Sequence, residues 1–376
     1  MKTLLAALTV ALAPAALADV NVGIIAPLTG RMASFGAQYA AAVKMFEQSR
    51  VRLNDREKIN FVVYDSRGDL TESISLTRKL ISSDQVVAIV GPLFSSESEV
   101  SFPVAVQGKT PIISPSASKP GVAAANRPYA FGYSLTTDKK TAQLVDKWLA
   151  TAGKGVKNVV VILDAKDAIS KFDGSVEYPQ VLKQHGIQVL DTISIQTGDI
   201  DFSAAVTRAK NRNPDAVVMT TLHSEGGNLM RELRKQGMRQ PVLAGVGILD
   251  PRFLELAGPA ADGVMLGSDF YADSPAPGVA KWVAEFRTNN NNLTPTAPAA
   301  MMYESLEVVR SCIVSQKVSG RPAELQADRD KIQKCLGSLK NHPVPLTGQV
   351  TINENGEALR KPQILVVKDS RFTAVP

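Results

Sequence analysis

The sequence predicts an α/β protein with two Rossmann-like lobes, each built on a mainly parallel sheet. Short apolar strands alternate with amphipathic helical stretches from residue 21 to about residue 268, which is the pattern of repeated βα units. The run over 129–135 separates two such series of similar size, and 376 residues are enough for two hydrophobic cores. Ligands favour the crevice between lobes, so a binding site is expected there.

The first eighteen residues are predicted to be an export signal that is cleaved after Ala18. Lys2 supplies a positive start, residues 4–12 are apolar, and Ala16 to Ala18 provides the small residues of a cleavage site. A membrane anchor is the alternative, but the apolar run is far shorter than the ~20 residues that a membrane span needs. We therefore expect a protein exported to the periplasm.

The charge of the chain argues against a nucleic-acid partner. The formal net charge is +6, and basic residues occur in separated pairs such as Lys139-Lys140 rather than in a stripe with aromatic residues. Two Cys and three scattered His residues also make a metal site unexpected.

The first series of elements ends in two serine-rich loops. Strands are predicted over 21–26, 60–64, 86–90 and 111–113, with helices near 36–50, 72–82 and 96–106. Ser95 and Ser96 stand where a helix begins, and the fourth strand leads into Ser116 and Ser118. Groups at helix N-termini can hold a carboxylate, and adjacent parallel strands bring such loops to one crevice. The alternative is that these serines only cap helices.

A second series of strands and helices follows, and the chain then becomes mainly helical. Strands are predicted over 158–163, 188–193, 216–219, 241–244 and 264–267, with helices near 141–151, 178–184, 202–212, 225–236 and 251–256. Three further helices are predicted over 277–289, 296–316 and 327–339. The end, 346–372, returns to strands through a turn at Asn355-Gly356, a strong hairpin signal.

The two cysteines are candidates for a disulfide. Cys312 and Cys335 lie 23 residues apart in two predicted helices, and an exported protein meets an oxidising compartment. Antiparallel helices would bring the two residues near each other, although a bridge needs a narrow Cα separation. The alternative is a pair of buried, inert thiols.

The motifs that suggest an enzyme are incomplete. Residues 116–119 fit the S-x-x-K pattern of serine-dependent β-lactam enzymes, but its companion motifs are missing and Pro120 disfavours a helical Lys119. Residues 245–247 resemble the start of a dinucleotide-binding loop, but Asp250 stands in the place of the third glycine. We therefore expect neither an enzyme nor a cofactor.

Five segments, in order along the chain, carry a resemblance to a known family. They are VGIIAPLTGRMASFGAQ (22–38), YDSRGDLTESISLTRKLI (64–81), GPLFSSES (91–98), ISPSAS (113–118) and LTGQVTINENGE (346–357). With them the chain resembles the periplasmic leucine and branched-chain amino-acid binding proteins of ABC transporters. The resemblance implies a type I periplasmic binding fold whose lobes are joined by a three-crossing hinge and close on a ligand. It also implies an ABC permease in the inner membrane as partner, and we expect a monomer.

The resemblance also implies where the lobes and the hinge lie. The crossings are expected near 135–138, 269–273 and 343–346. Lobe 1 would then hold 19–136 and 272–343, and lobe 2 would hold 137–271 and 344–376.

The family's ligand-binding positions match particular residues of this chain. Ser95 and Ser96, with Ser116 and Ser118, match the carboxylate site. The resemblance places Phe35 over an apolar or aromatic face of the ligand, and Phe94 would add a second apolar wall. For both rings, ordinary core packing is the alternative. In lobe 2, Leu222 or His223 falls where the family often has a Tyr.

One departure from the family pattern concerns the ligand's amino group. Amino-acid binders of this type place a carboxylate after the strand predicted at 241–244, because a buried ammonium needs a partner. Here the matching position is Gly247, and Asp250 comes three residues later, where it would cap the next helix. The expected ligand is a small carboxylate, such as a branched-chain or related amino acid. Aromatic carboxylates, amides or urea-like solutes are the alternative, and a free-standing periplasmic sensor for a membrane kinase is the alternative function.

Overall fold

The structure is a computed structural model that describes residues 19–54 and 57–375. The predicted export signal lies outside these described residues. Among them, no helix combines the length and the apolar character that a membrane crossing requires.

The first sheet is entirely parallel and has the strand order β2-β1-β3-β4-β5. Its elements, with their helices, are β1 (Val20–Ala26), α1 (Ala33–Ser49), β2 (Ile59–Asp65), α2 (Leu70–Ser82), β3 (Ala88–Val90), α3 (Ser95–Gln107), β4 (Ile112–Ser114) and β5 (Ala130–Gly132). The predicted β-α alternation is confirmed here. β5 lies inside the run at 129–135, for which the sequence gives no strand bounds, because Gly132 weakens the signal of a strand.

The second sheet has seven strands in the order β15-β14-β10-β9-β8-β6-β7. The strands from β6 to β10 come first along the chain, with helices before and between them. In chain order these elements are α4 (Thr137–Leu149), β6 (Asn158–Asp164), α5 (Ala168–Phe172), α6 (Tyr178–Gln184), β7 (Gln188–Ile195), α7 (Ser203–Asn211), β8 (Ala216–Thr220), α8 (His223–Lys235), β9 (Val242–Ala244), α9 (Pro251–Ala257) and β10 (Met265–Ser268). The strands from β6 to β10 pair in parallel. Residues 159–163 of β6 are all buried, as expected for a central strand that is covered on both faces.

Three helices and five short strands complete the described chain. They are α10 (Val279–Asn289), α11 (Ala297–Ser315), α12 (Leu325–Gly337), β11 (His342–Val344), β12 (Gly348–Ile352), β13 (Ala358–Leu359), β14 (Gln363–Lys368) and β15 (Arg371–Ala374). α11 packs on α1, where the rings of Phe46 and Tyr303 lie 5.5 Å apart. A disulfide joins Cys312 of α11 to Cys335 of α12 across a Cα separation of 5.7 Å.

The C-terminal strands divide between two sheets. β12 and β13 form the hairpin that the Asn-Gly signal predicts, and with β11 they make a small antiparallel sheet. β14 pairs with β10 and thereby joins the second sheet. Glu357, just before β13, bridges to Gly132 of β5, so this small sheet contacts the first one. The chain therefore enters the second sheet at 360–362, whereas the sequence predicts the crossing near 343–346.

Buried polar contacts tie the connections between the lobes together. The N–H of Leu135 donates to Asp269 at 2.8 Å, which joins the two predicted crossings that contain these residues. Glu304 of α11 accepts hydrogen bonds from the N–H groups of Leu346 and Thr347, at 2.8 and 2.7 Å. A carboxylate that receives several such bonds fixes the backbone around it. Both acids are buried, so the connections between the lobes are held by hydrogen bonds to protein groups and not by contacts with water.

Candidate functional site

A buried cavity of about 60 Å³, the inner cavity, lies between the lobes at the carboxyl ends of the parallel strands. Its lining residues are Phe35, Leu93, Phe94, Ser95, Ser116, Ser118, Ser134, Lys140, Ile169, Leu222, Val246, Gly247, Leu249, Asp269, Ala297, Pro298 and Met301. Most of this wall is apolar, and the hydroxyls of four serines and one charged pair are its polar groups. A small solute with an apolar body and a polar end suits such a wall.

The loop between β3 and α3 reaches the inner cavity because the chain turns closely at Gly91. This residue has φ of 119°, and a Cβ atom there would lie 2.2 Å from the carbonyl oxygen of Ile25. Only glycine tolerates that conformation and that approach. The turn places Ser95 at the first residue of α3, facing the loop that follows β4.

The hydroxyls of Ser95 and Ser116 accept hydrogen bonds from the protein and keep their own protons to donate. Ser95 Oγ accepts from the N–H groups of Ser118 and Lys119, each at 3.2 Å. Ser116 Oγ accepts from the hydroxyl of Tyr39 at 2.9 Å. A serine hydroxyl has a single proton, so each of these serines has an O–H left to donate into the cavity. Neutral donors of this kind suit an anion such as a carboxylate.

Ser96 and Asp250 do not line the inner cavity. Ser96 is half-buried on α3, one residue beyond the wall. Asp250 caps α9 by accepting from the N–H of Arg252 at 2.7 Å, and Pro251 follows at the first helical position. Burial raises the pKa of Asp250 to about 6, and the Ser34 hydroxyl opposes this increase. Asp250 is therefore a helix cap beside the site.

Gly247 lines the inner cavity, and its surroundings leave no room for a side chain. A Cβ atom at this position would lie 2.5 Å from the carbonyl oxygen of Thr221 and 3.3 Å from a methyl group of Leu222. A backbone contact of that length forces the chain to shift. The carboxylate that the family pattern places here is thus absent, and the local packing excludes it.

The aromatic residues form a short row that leads from the inner cavity to the interface between the lobes. The rings of Phe35 and Phe94 meet edge to face at 5.6 Å, and both line the cavity. Behind Phe35, the ring of His223 lies edge-on at 4.7 Å. His223 is buried and does not line the cavity, whereas its neighbour Leu222 does. Leu222 thus contributes from lobe 2 and His223 supports Phe35 from behind.

His223 joins the two lobes. Its Nε2 lies 3.1 Å from the hydroxyl of Ser34, and burial lowers its pKa to about 4, with the nearby Arg252 adding to the decrease. A second contact of this kind runs from Arg31 to Glu225, with 3.2 Å between Nη2 and Oε1. The lobes therefore touch at the edge of the cavity.

A buried ion pair that sequence reasoning missed completes the cavity wall. Lys140 Nζ donates to Asp269 at 2.6 Å and to the Ser134 hydroxyl at 3.1 Å, and both charged side chains are only 4% exposed. Burial opposes ionisation of Asp269, but Lys140 and Arg360 hold its pKa below the ordinary value. An ammonium has three protons, so one N–H of Lys140 remains beyond these two bonds. The position of Asp269 directly after β10 was the available signal.

The charges in the wall cancel each other. Lys140 and Asp269 are the charged residues that line the inner cavity, and they neutralise one another. Within residues 19–54 and 57–375, no cluster of three or more His, Cys, Asp or Glu side chains is arranged to hold a metal ion. The wall therefore offers hydrogen-bond donors without a carboxylate free to pair with a cation.

Two α/β lobes that meet over a buried cavity and are joined by a hinge define a two-lobed solute receptor. The chain belongs to the periplasmic binding protein family, because the family model described as "Periplasmic binding protein" matches residues 19–334. The fold class and the family predicted from the sequence are both confirmed.

Individual relatives agree with this assignment over nearly the whole chain. The Leu/Ile/Val-binding protein BraC3 of Rhizobium johnstonii is 28% identical over 372 residues, which cover 95% of this chain and 94% of the relative. The structure of a leucine binding protein, LivK, from Thermotoga maritima has a TM-score of 0.84 at 25% identity and covers 95% of this chain and 98% of its own. A solute binding protein of an ABC transporter from Rhodopseudomonas palustris, solved with 3,4-dihydroxy benzoic acid, has a TM-score of 0.82 at 22% identity and covers 95% and 96%.

Proposed function

We propose that this protein is the periplasmic receptor of an ABC transporter and that it binds a small carboxylate-bearing solute between its lobes. The observation that carries the proposal is the pair of free O–H donors on Ser95 and Ser116, which face one cavity beside an apolar wall. Charge-assisted hydrogen bonds to a carboxylate are worth about 1.5 to 3 kcal/mol each. The closed receptor then docks on a permease in the inner membrane and releases the solute unchanged.

The wall favours a carboxylate that lacks an α-ammonium group. Asp269 already receives bonds from Lys140, Ser134 and the N–H of Leu135, so it has little capacity left for a ligand cation. Gly247 supplies no acid, and the carboxylate of Asp250 caps a helix outside the cavity. Burying an unpaired ammonium costs several kcal/mol. The aromatic acid bound by the Rhodopseudomonas palustris protein belongs to the class that we favour.

A branched-chain amino acid is the second candidate, because the Rhizobium johnstonii relative is a Leu/Ile/Val-binding protein. Titration calorimetry with leucine, with 4-methylpentanoate and with leucinamide distinguishes the candidates, since the second compound lacks the ammonium and the third lacks the carboxylate. We expect 4-methylpentanoate or benzoate to bind at least tenfold more tightly than leucine, and leucinamide not to bind. Tighter binding of leucine than of 4-methylpentanoate and benzoate would instead support amino-acid transport.

The serine donors have a matched control in Ser96, which follows Ser95 on α3. Ser95→Ala and Ser116→Ala should each weaken carboxylate binding about 10- to 100-fold, which is the loss of one charge-assisted bond. Ser96→Ala should leave the affinity within about twofold, because Ser96 lies outside the cavity wall. Equal effects of the three substitutions would show that the anion binds elsewhere.

The three possible functions, transport, sensing and catalysis, predict different results in an uptake experiment. A transport receptor restores uptake when it is added to vesicles that contain its permease, and the ligand is recovered intact. A free-standing sensor would bind the same ligand without supporting uptake, and an enzyme would convert it in a manner abolished by Ser116→Ala. We expect ATP-dependent uptake and an unchanged ligand.

A further inference from the structure

A second and much larger cavity, the outer cavity, of about 510 Å³, lies beside the inner cavity in the cleft between the lobes. Its walls come from the region of α9, from the hairpin of β14 and β15, from 270–273 and from the chain that leads into α11. The lining residues are Leu249, Pro251, Leu254, Glu255, Gly258, Phe270, Tyr271, Ala272, Asp273, Arg287, Thr294, Pro295, Thr296, Ala297, Leu365, Ser370, Arg371 and Phe372.

Two residues line both cavities, and we name the boundary that they mark the partition. Leu249, just before α9, and Ala297, the first residue of α11, line both the inner and the outer cavity. One comes from the second lobe and the other from the helix that packs on α1, so the partition spans the cleft. The inner cavity, at about 60 Å³, is far smaller than the several hundred Å³ of a typical ligand site. The two volumes together reach that size.

The outer cavity has the chemistry of an apolar compartment. Leu254, Phe270, Leu365 and Phe372 are among its lining residues, and most of its exposed lining is apolar. Its acidic residues have partners: Asp273 pairs with Arg371 at 2.8 Å, and Glu255 pairs with Arg252 at 2.9 Å.

One buried polar atom in the lining of the outer cavity has no hydrogen-bond partner among the described residues. This atom is the hydroxyl oxygen of Thr296, a residue that is only 9% exposed. A buried hydroxyl without a partner costs free energy unless a ligand or water satisfies it.

We propose that the inner and outer cavities are two compartments of one ligand site, and that the ligand is a carboxylate with an extended apolar tail. The carboxylate binds at Ser95 and Ser116, and the tail passes between Leu249 and Ala297 into the outer cavity. This inference rests on the proposed function, since it assumes that the serines hold the carboxylate. The ligand class is a medium-chain or aryl-alkyl acid, longer than leucine or benzoate.

A homologous series of acids tests the proposal. Straight-chain carboxylates from butyrate to decanoate, and phenylalkanoates from benzoate to 5-phenylpentanoate, are titrated by calorimetry into the full mature protein. Each methylene that enters an apolar compartment should tighten binding about fourfold, so affinity should rise steeply along both series before it levels off. Affinity that is independent of length, with the short acids still binding, would overturn the two-compartment site and leave the proposed function intact. Failure of every acid to bind would overturn both.

A filling substitution locates the tail. Leu254→Trp adds bulk to the outer cavity from α9 without touching the inner wall, so it should abolish the gain with length and leave butyrate unaffected. Thr294→Trp, at an exposed position that lines the outer cavity and not the inner one, should have the same selective effect and serves as a second variant. Ala284→Phe, an exposed position on α10, is the matched control. Equal loss for short and long acids in Leu254→Trp and Thr294→Trp would contradict the proposal.

Discussion

At the scale of single residues, the charge balance of the inner cavity is set by a lysine and an aspartate that neither flank a motif nor adjoin each other. Lys140 and Asp269 are 129 positions apart in the chain. Their pairing keeps a charged group in the wall without making the wall basic or acidic overall. The third N–H of Lys140 adds a donor to those of the serines, and Asp269 has little acceptor capacity left for an ammonium.

Breaking this pair should destabilise the protein strongly. In Lys140→Met, Asp269 is left as an unpaired buried carboxylate, which typically costs about 3 to 5 kcal/mol. Urea unfolding at pH 7 measures the loss. The double variant Lys140→Met with Asp269→Leu should recover part of it, because it removes the unpaired charge but leaves the buried N–H of Leu135 without its acceptor. A double variant as unstable as the single one would contradict this account.

His223 should make the protein less stable in acid. Its folded pKa of about 4 lies below the ordinary value of 6.5, so the unfolded chain binds the proton first as the pH falls. Stability contributed by neutral His223 is present above pH 6.5 and is lost between about pH 6.5 and 4. Asp250, whose pKa is raised to about 6, acts in the opposite direction over this range.

The variant His223→Gln isolates that titration from the titration of Asp250. The difference in unfolding free energy between variant and wild type should move in favour of the variant by about 2 to 3 kcal/mol between pH 7 and pH 4.5. Urea unfolding at both pH values gives the two differences. Parallel pH profiles of the two proteins would show that His223 is not buried as neutral imidazole.

Local sequence was sufficient to find some site residues and insufficient for others. Ser95, Ser116 and Ser118 stand directly after short apolar strands, and a parallel sheet brings such positions together whatever the rest of the chain does. The position of Lys140 beside Asp269 depends on how α4 meets β10, and the contact between Ser34 and His223 depends on how the two lobes meet. No pattern within one segment records either meeting, so these residues could not be predicted from local sequence.

At the scale of elements, strength of periodicity decided what could be predicted. Long amphipathic helices such as α2, α4 and α8 and the apolar strand β6 carry many repeats of their pattern. β11 contains Pro343 and β5 ends at Gly132, residues that weaken the signal of a strand. The sequence also does not predict that β14 and β15 belong to a different sheet from the β12–β13 hairpin. Both strand pairs show the same alternation of apolar and polar residues, and only their tertiary pairing distinguishes them.

The disulfide between α11 and α12 should stabilise the protein without affecting its ligand. Closing a loop between residues 23 positions apart restricts the unfolded chain and is worth about 2 to 4 kcal/mol. Neither cysteine lines a cavity. Cys312→Ser with Cys335→Ser should therefore unfold at lower denaturant and bind with unchanged affinity at 20 °C. Weaker binding by the folded variant would indicate that the bridge positions the site.

At the scale of the whole molecule, the lobes are held together over the cavity by a few polar contacts around its edge. Arg31 to Glu225 and Ser34 to His223 are two of these, and each links residues nearly 200 positions apart, at separations of 194 and 189. Glu225 Oε1 also accepts from the N–H of Gly198 at 2.8 Å, so the acid keeps one hydrogen bond when Arg31 moves away. The side chain of Arg31 is largely exposed, which keeps the cost of breaking this contact modest.

Loss of that contact should weaken every ligand to the same extent. Arg31→Gln removes a bond that forms only between closed lobes, so closure becomes less favourable by up to about 1 kcal/mol and affinity falls about three- to fivefold. Calorimetry with a short and a long carboxylate measures it, and X-ray scattering should show a smaller fraction of closed molecules. Lys281→Gln, which breaks an exposed pair within one helix, is the control. A change in ligand preference would place Arg31 in the site itself.

Helix α11 links two traits of the protein, the solute that fits the cavity and the movement of the lobes. Its first turns supply Ala297, Pro298 and Met301 to the cavity wall, and Glu304, one turn further on, anchors the hinge. Met301 also accepts a hydrogen bond from Arg360, in the passage to the second sheet, at 2.8 Å between Nη1 and Sδ. A substitution in α11 that changes which solute fits the inner cavity therefore also changes the hinge about which the lobes move. Descendants of this receptor that acquire a new cargo through α11 inherit a changed opening equilibrium with it, and compensation must come from outside the cavity.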